Sequence, residues 1–146
     1  MKQILIIAAL TLASLQSFAG LSEKMDAIEK AGVACLDNPD NYSTIGMKEC
    51  EGARYGSYDE LLNIEYNKIV KNLKKKTGDS YTDDGNKVIL GRLIEAERAW
   101  VIFRDSNTML SGIGNFGGTL EGLEIISARA NMVRNRILEL DQLFNR

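Results

Sequence analysis

The residue types that most often carry out catalysis are scarce in this chain of 146 residues, which has no histidine. Without an imidazole, the sequence excludes a Ser-His-Asp triad, a Cys-His pair and an HExxH zinc site. Carboxylate pairs of the kind that glycosidases use occur at Glu95 and Glu97 and at Glu121 and Glu124. The first two side chains leave a helix in different directions, and nothing around the other two indicates a substrate cleft. We therefore predict a protein that is not an enzyme, with no catalytic residues, no metal and no cofactor.

The N-terminus has the features of a secretory signal peptide. A lysine near the start precedes a mostly apolar run over residues 4–15, and Ser17 and Ala19 supply the small residues of a cleavage site. The alternative, a transmembrane anchor, requires about 20 apolar residues, more than this run provides. We expect residues 1–19 to be removed. Residues 20–146 then form one exported domain, periplasmic or secreted, that does not insert into the membrane.

The composition narrows the class of protein further. The formal net charge of −2 becomes −3 when the signal peptide and its single lysine are lost. Nucleic-acid binding requires a basic surface, so a nucleic-acid partner is not expected. One proline and 7% aromatic residues argue against an all-β chain built from many turns.

Cys35 and Cys50 are the two cysteines of the chain. In an oxidising compartment a disulfide between them is the expected state. A reactive thiol or a metal site are the alternatives. Two thiols without histidine make a poor zinc site, and the spacing is not that of a CxxC redox motif.

Apolar residues recur every three or four positions along most of the chain, as helices with one buried face require. The predicted helices are Ser22–Ala34, Ala53–Lys76, Gly85–Leu110 and Thr119–Phe144. A further turn is expected from Thr44, and the glycines between Gly52 and Gly56 predict a bend or break. The fold class is therefore all-α, a small antiparallel bundle of about four helices with one disulfide near its N-terminus.

The connection before the last helix contains a formal GxGxxG match. Its residues are Gly112, Ile113, Gly114, Asn115, Phe116 and Gly117. The nucleotide-binding fingerprint follows a strand, whereas a long helix precedes this segment, so we interpret it as an interhelical loop. The alternative is a partner-contact loop that presents Ile113 and Phe116 to a protein.

Several polar and aromatic residues in the predicted helices stand out. Trp100 and Phe103 share one helical face and are expected to anchor the core. Arg104 lies beside that face, where its guanidinium can find a carboxylate or carbonyl. Asn63 inside a helix indicates a side-chain hydrogen bond or an exposed face. We interpret these residues as a structural network, with a binding site as the alternative.

Three blocks occur in order along the chain and carry a family resemblance. The first is Cys35, Thr44, Met47 and Cys50, the second runs from Asp59 through Asn63 to Tyr66, and the third is Ala96–Asp105 around Trp100 and Arg104. With Arg136 and Leu140 after them, they resemble the LprI-type lysozyme-inhibitor domain of bacterial envelope proteins over about residues 35–140. We interpret the motif residues as structural; they are Asn63, Tyr66, Trp100, Phe103, Arg104, Asp105 and Arg136.

The sequence departs from the family pattern in two ways, and the second concerns the last hairpin. Glu97 stands where glutamine is usual. Family members often have four cysteines, whereas Thr108 and about Ala128 occupy the places of the second pair here. The hairpin around Ser111–Thr119 is therefore expected to lack a disulfide and to be more mobile than in relatives.

The resemblance also implies a function. We expect an exported, non-enzymatic binding protein that inhibits a lysozyme-like peptidoglycan hydrolase, and an acidic chain would be attracted to the basic lysozymes. One alternative is an immunity or envelope-stress protein that binds another secreted toxin or hydrolase. Another is a structural protein of the cell envelope.

Overall fold

The computed structural model describes residues 20–75 and 80–145, in which all long elements are α-helices and no strand occurs. Helix α1 covers residues 20–36, α2 Thr44–Leu73, α3 Ser80–Met109 and α4 Glu121–Phe144. Short 3-10 helices, Pro39–Asn41 and Leu110–Asn115, follow α1 and α3. The predicted all-α fold class is confirmed. The predicted signal peptide, residues 1–19, lies outside the described residues.

Contacts between helices α1 and α2 show that they run in opposite directions. Arg54 of α2 contacts Glu29 of α1, and Tyr58, one turn further along α2, contacts Met25, one turn earlier in α1. The connection between them is short, as expected for antiparallel neighbours.

Helix α3 runs antiparallel to α4 in the same way, because Glu97 pairs with Arg136 whereas the later Asp105 pairs with the earlier Arg129. Helices α2 and α4 run parallel, because Lys48 lies beside Gly122 and the later Arg54 bonds the later Asn131. It follows that α2 and α3 are antiparallel. The contact between α2 and α4 is the most extensive one among α2, α3 and α4.

The core lies mainly between α1, α2 and α4. Its buried members are Leu21, Met25, Tyr58, Leu61, Leu62, Ile69, Leu93, Val133, Ile137 and Leu140. Helix α3 supplies one of them, Leu93, and places Trp100 partly buried against the same cluster. Much of the apolar surface of α3 therefore stays exposed, including Ile89, Ile102 and Phe103.

Helix α2 is one continuous helix of 30 residues, so the predicted break near Gly52–Gly56 is wrong. It begins at Thr44, where the sequence predicts a separate turn, and Ser43 caps it by accepting a hydrogen bond from the Gly46 N–H at 3.0 Å. Buried residues on either side of the glycines, among them Tyr58, hold this stretch against the bundle. Tertiary packing therefore outweighs the low helix propensity of glycine.

None of the helices in the described residues combines the length and the apolar character that a membrane crossing requires.

Candidate functional site

A disulfide joins the end of α1 to the first turns of α2. Cys35 and Cys50 are bonded, with their Cα atoms 5.7 Å apart, and no free cysteine is present in the described residues. The side chain of Asn41 donates to the Cys35 carbonyl at 2.9 Å, which fixes the intervening turn. The predicted disulfide is confirmed, and the thiol and metal alternatives are wrong.

A groove of about 530 Å³ separates α2 from α3. Its walls bring together residues from the second and third blocks of the sequence, which lie about forty positions apart. The lining residues are Asp59, Leu62, Asn63, Tyr66, Ile94, Glu97, Arg98, Trp100, Val101 and Arg104. We call this feature the α2–α3 groove. Its volume lies within the range of small-molecule sites.

Beneath the groove, an ion pair ties α3 to α4. Arg136 donates through Nη2 and Nε to Oε2 of Glu97 at 2.8 and 3.1 Å, and through Nη1 to Glu139 at 2.9 Å. Burial alone would lower the pKa of Arg136, but the hydrogen bonds to Glu97 and then to Glu139 outweigh it and raise that pKa. The guanidinium also lies over the Trp100 ring, 5.6 Å from its centroid. Arg136 is thus part of the support for the groove.

A second arginine packs on the same tryptophan from within the groove. The Arg104 guanidinium lies 5.3 Å from the Trp100 centroid and 6.0 Å from that of Tyr55. It pairs with Asp105 at 2.9 Å and reaches Asp59 of α2 at 3.5 Å. Arg104 therefore pairs with carboxylates, as the sequence predicts, and its pair with Asp59 links α3 to α2.

Asn63 and Phe103 have different surroundings from one another. Asn63 is exposed, and its Nδ2 donates to the Asp59 carbonyl at 2.9 Å. The sequence offered an exposed face and a side-chain hydrogen bond as alternatives, and the structure has both. Phe103 is 57% exposed, and the prediction that it anchors the core is wrong. Trp100 packs partly buried against the core cluster, whereas Phe103, almost one turn further along α3, lies beyond that contact and faces solvent.

The segment 112–117, which we call the tip loop, projects two apolar side chains from the end of the α3–α4 hairpin. Ile113 is 70% exposed and Phe116 is 83% exposed. Asn115 donates to Glu124 at 2.7 Å, and the Gly117 N–H donates to Glu121 Oε2 at 2.9 Å. These bonds attach the tip loop to the first turns of α4.

Local backbone geometry explains part of the glycine pattern in the tip loop. Gly117 has a φ of 74°, in the left-handed region that glycine tolerates best. The first four residues of the tip loop belong to the 3-10 helix Leu110–Asn115, which follows α3, so the strand that a nucleotide-binding fingerprint needs does not precede it in the described residues. Thr108, at one predicted cysteine place, is fully buried. The greater mobility expected for this hairpin stays a prediction.

The sequence did not predict the cluster of polar contacts around Arg54. Arg54 is nearly buried and bonds Glu51 of its own helix at 2.7 Å, Glu29 of α1 at 3.3 Å and Asn131 of α4 at 3.1 Å. No spacing rule links these partners, because they come from three different helices. The only available signal was an arginine at the edge of an apolar helical stripe.

Comparisons with known proteins found one matching family model and one similar protein. The family model described as "Lysozyme inhibitor LprI" matches residues 35–140. An uncharacterized protein of Rhizobium meliloti (strain 1021), R02472, is 30% identical over 104 residues, which cover 69% of this chain and 73% of that protein. No solved structure matches the chain.

Proposed function

Because the chain belongs to the lysozyme inhibitor LprI family, we propose that it is an exported protein that binds and inhibits a lysozyme-like peptidoglycan hydrolase through its tip loop. The observation that carries the choice of surface is the exposure of Ile113 and Phe116 on a loop fixed to α4 by hydrogen bonds. The signal peptide predicted at residues 1–19 would bring the protein to the periplasm or the exterior, where such enzymes act.

The tip loop suits protein binding because its apolar groups are held in place before contact. Aromatic side chains are frequent hot spots at interfaces, and Phe116 is the most exposed large apolar residue described. Ordering a free loop costs binding energy, whereas the bonds from Asn115 and Gly117 to α4 reduce that cost.

The charges near the tip loop favour a basic partner. Between Arg104 and Arg129 the chain carries Asp105, Glu121 and Glu124 and no lysine or arginine. In the structure Asp105 is paired with Arg104 and Arg129, and Lys48 of α2 lies beside Gly122, so Glu121 and Glu124 leave a net charge of −1 next to the tip loop, which attracts a basic partner. No catalytic group is needed for this activity, since blocking a cleft is sufficient.

A peptidoglycan turbidity assay tests the proposal. The purified chain, in excess, is expected to slow lysis by at least one class of lysozyme. Phe116→Ser should weaken inhibition about 30-fold, which corresponds to the roughly 2 kcal/mol of an interface hot spot. The matched control is Leu143→Ser, because Leu143 is also an exposed apolar residue but lies at the far end of α4.

Two results would contradict the proposal. Lysis that stays unchanged with excess protein across lysozyme classes would remove the inhibitor function. Inhibition that is equally strong with Phe116→Ser and with the wild-type chain would remove the tip loop as its surface. Circular dichroism of each variant confirms that the fold is retained.

A further inference from the structure

The α2–α3 groove contains polar groups whose hydrogen-bonding capacity the described residues leave unused. Asn63 uses its amide N–H but receives no hydrogen bond at Oδ1 from any described residue. Glu97 binds Arg136 through Oε2 alone, which leaves Oε1 available. The Tyr66 hydroxyl and the Arg98 guanidinium likewise have no partner in the described part of the chain, although both line the groove. Asn63 and Arg98 are exposed, so water satisfies these groups in the free chain, and a ligand rich in hydrogen-bonding groups can take the place of that water.

The charges on the groove walls cancel. Asp59 and Glu97 supply two formal negative charges, and Arg98 and Arg104 supply two positive ones. A phosphate-rich ligand would require an excess of positive charge, and a polycation would require the reverse. The balance therefore favours a neutral ligand that is rich in hydrogen-bonding groups.

The walls of the groove are helices, and this also favours one class of neutral ligand over another. One common mode of peptide recognition uses main-chain hydrogen bonds at a sheet edge, and α2 and α3 cannot provide it because their backbone groups are already used within the helices. The groove thus offers side-chain groups only. These are a carboxylate, a guanidinium and an amide beside the aromatic residues Tyr66 and Trp100. Hydroxyl groups both donate and accept hydrogen bonds and can pair with all three kinds of polar side chain.

We propose that the α2–α3 groove binds a short neutral oligosaccharide that carries N-acetyl groups. The Asn63 carboxamide matches the amide of an N-acetyl group, Glu97 and Arg98 match sugar hydroxyls, and Tyr66 supplies an apolar surface with a polar tip. This site is separate from the tip loop, and the proposal does not depend on lysozyme inhibition.

Trp100 provides a direct measurement, because it is the single tryptophan of the chain and lines the groove. Tetra-N-acetylchitotetraose titrated into the purified chain is expected to change the tryptophan fluorescence saturably, with an apparent Kd below about 1 mM. Cellotetraose, which lacks N-acetyl groups, should bind more weakly. Tetra-alanine, a peptide of similar length, should give no saturable change.

Variants locate the binding in the groove. Asn63→Ala and Tyr66→Phe should each weaken saccharide binding about three- to tenfold, as the loss of one hydrogen bond predicts. Asn67→Ala is the matched control, since Asn67 is an exposed asparagine one turn further along α2 that does not line the groove. It should bind like the wild-type chain.

Three outcomes would overturn the proposal. They are no saturable change up to about 10 mM saccharide, saturable binding of the peptide without the saccharide, and unchanged affinity in both the Asn63 and the Tyr66 variants. If one of these variants fails to fold, the other, together with the wild-type titration, decides the matter. Inhibition assays with Phe116→Ser address the tip loop separately, so failure of either proposal is recognised on its own.

Discussion

The two ion pairs of Arg136 allow the effect of burial on a salt bridge to be measured within one side chain. The guanidinium lies 2.8 Å from Glu97 and 2.9 Å from Glu139. The side chain of Arg136 is 12% exposed, that of Glu97 16% and that of Glu139 56%. Distance is therefore nearly constant between the two pairs, while the exposure of the acid differs more than threefold. We predict a larger coupling energy for the buried pair.

The expected magnitudes follow from screening and from topology. At 4 Å, the interaction of two unit charges is about 4 kcal/mol at an effective dielectric constant of 20, but about 1 kcal/mol in bulk water. After desolvation, we expect a coupling of about 1–3 kcal/mol between Arg136 and Glu97, which joins α4 to α3. For Glu139, which is largely exposed and lies three residues further along the same helix, about 0.2–0.5 kcal/mol is expected.

Double-mutant cycles measure both couplings. Urea unfolding of Arg136→Met, Glu97→Gln, Glu139→Gln and the two double variants, followed by far-UV circular dichroism, yields the free energy of unfolding of each. Added salt should reduce the Glu139 coupling more than the Glu97 coupling. Couplings that agree within about 0.3 kcal/mol, or a larger value for Glu139, would refute the argument from burial.

Four other predictions concern stability. Gly52→Ala should raise the free energy of unfolding by up to about 1 kcal/mol, because no atom lies within 4 Å of the added Cβ. Gly46→Ala should lower it by about 1–3 kcal/mol, since its Cβ would lie 2.6–2.9 Å from backbone atoms, and equal urea midpoints for the two variants would contradict this. Burial and a hydrogen-bonded carboxylate raise the pKa of Tyr58 above its ordinary value of 10.0, so its contribution to stability is full below pH 10 and declines as the pH rises further. Thermal melts should show a steeper loss above pH 10 for the wild-type chain than for Tyr58→Phe, and parallel losses would exclude this cause. Reduction of Cys35–Cys50 should cost about 3 kcal/mol in urea unfolding, and an unchanged midpoint would contradict it.

The candidate sites were predictable to different degrees. The apolar residues of the tip loop are visible in the sequence, because Ile113 and Phe116 stand in a glycine-rich connection with no helical periodicity to bury them. The family blocks around Asn63 and Trp100 are visible too, but their periodicity alone does not show that they face each other across a groove. Arg98 was missed because nothing in its local sequence distinguishes a groove wall from a solvent-facing helix surface.

Hydrophobic periodicity in the sequence by itself determined the all-α class, the approximate extent of the helices and their antiparallel order, because a stripe of apolar residues must be buried and short connections reverse the chain. The sequence also determined the disulfide, because Cys35 and Cys50 are the two cysteines of the chain and can pair only with each other. Only the tertiary structure decided which apolar residues are buried. Helices α2 and α4 use most of the core contact, which leaves Phe103 and much of α3 exposed. It also decided that Glu97 pairs with Arg136 beneath Trp100. Such contacts depend on how distant helices are rotated against one another, and local spacing carries no information about that rotation.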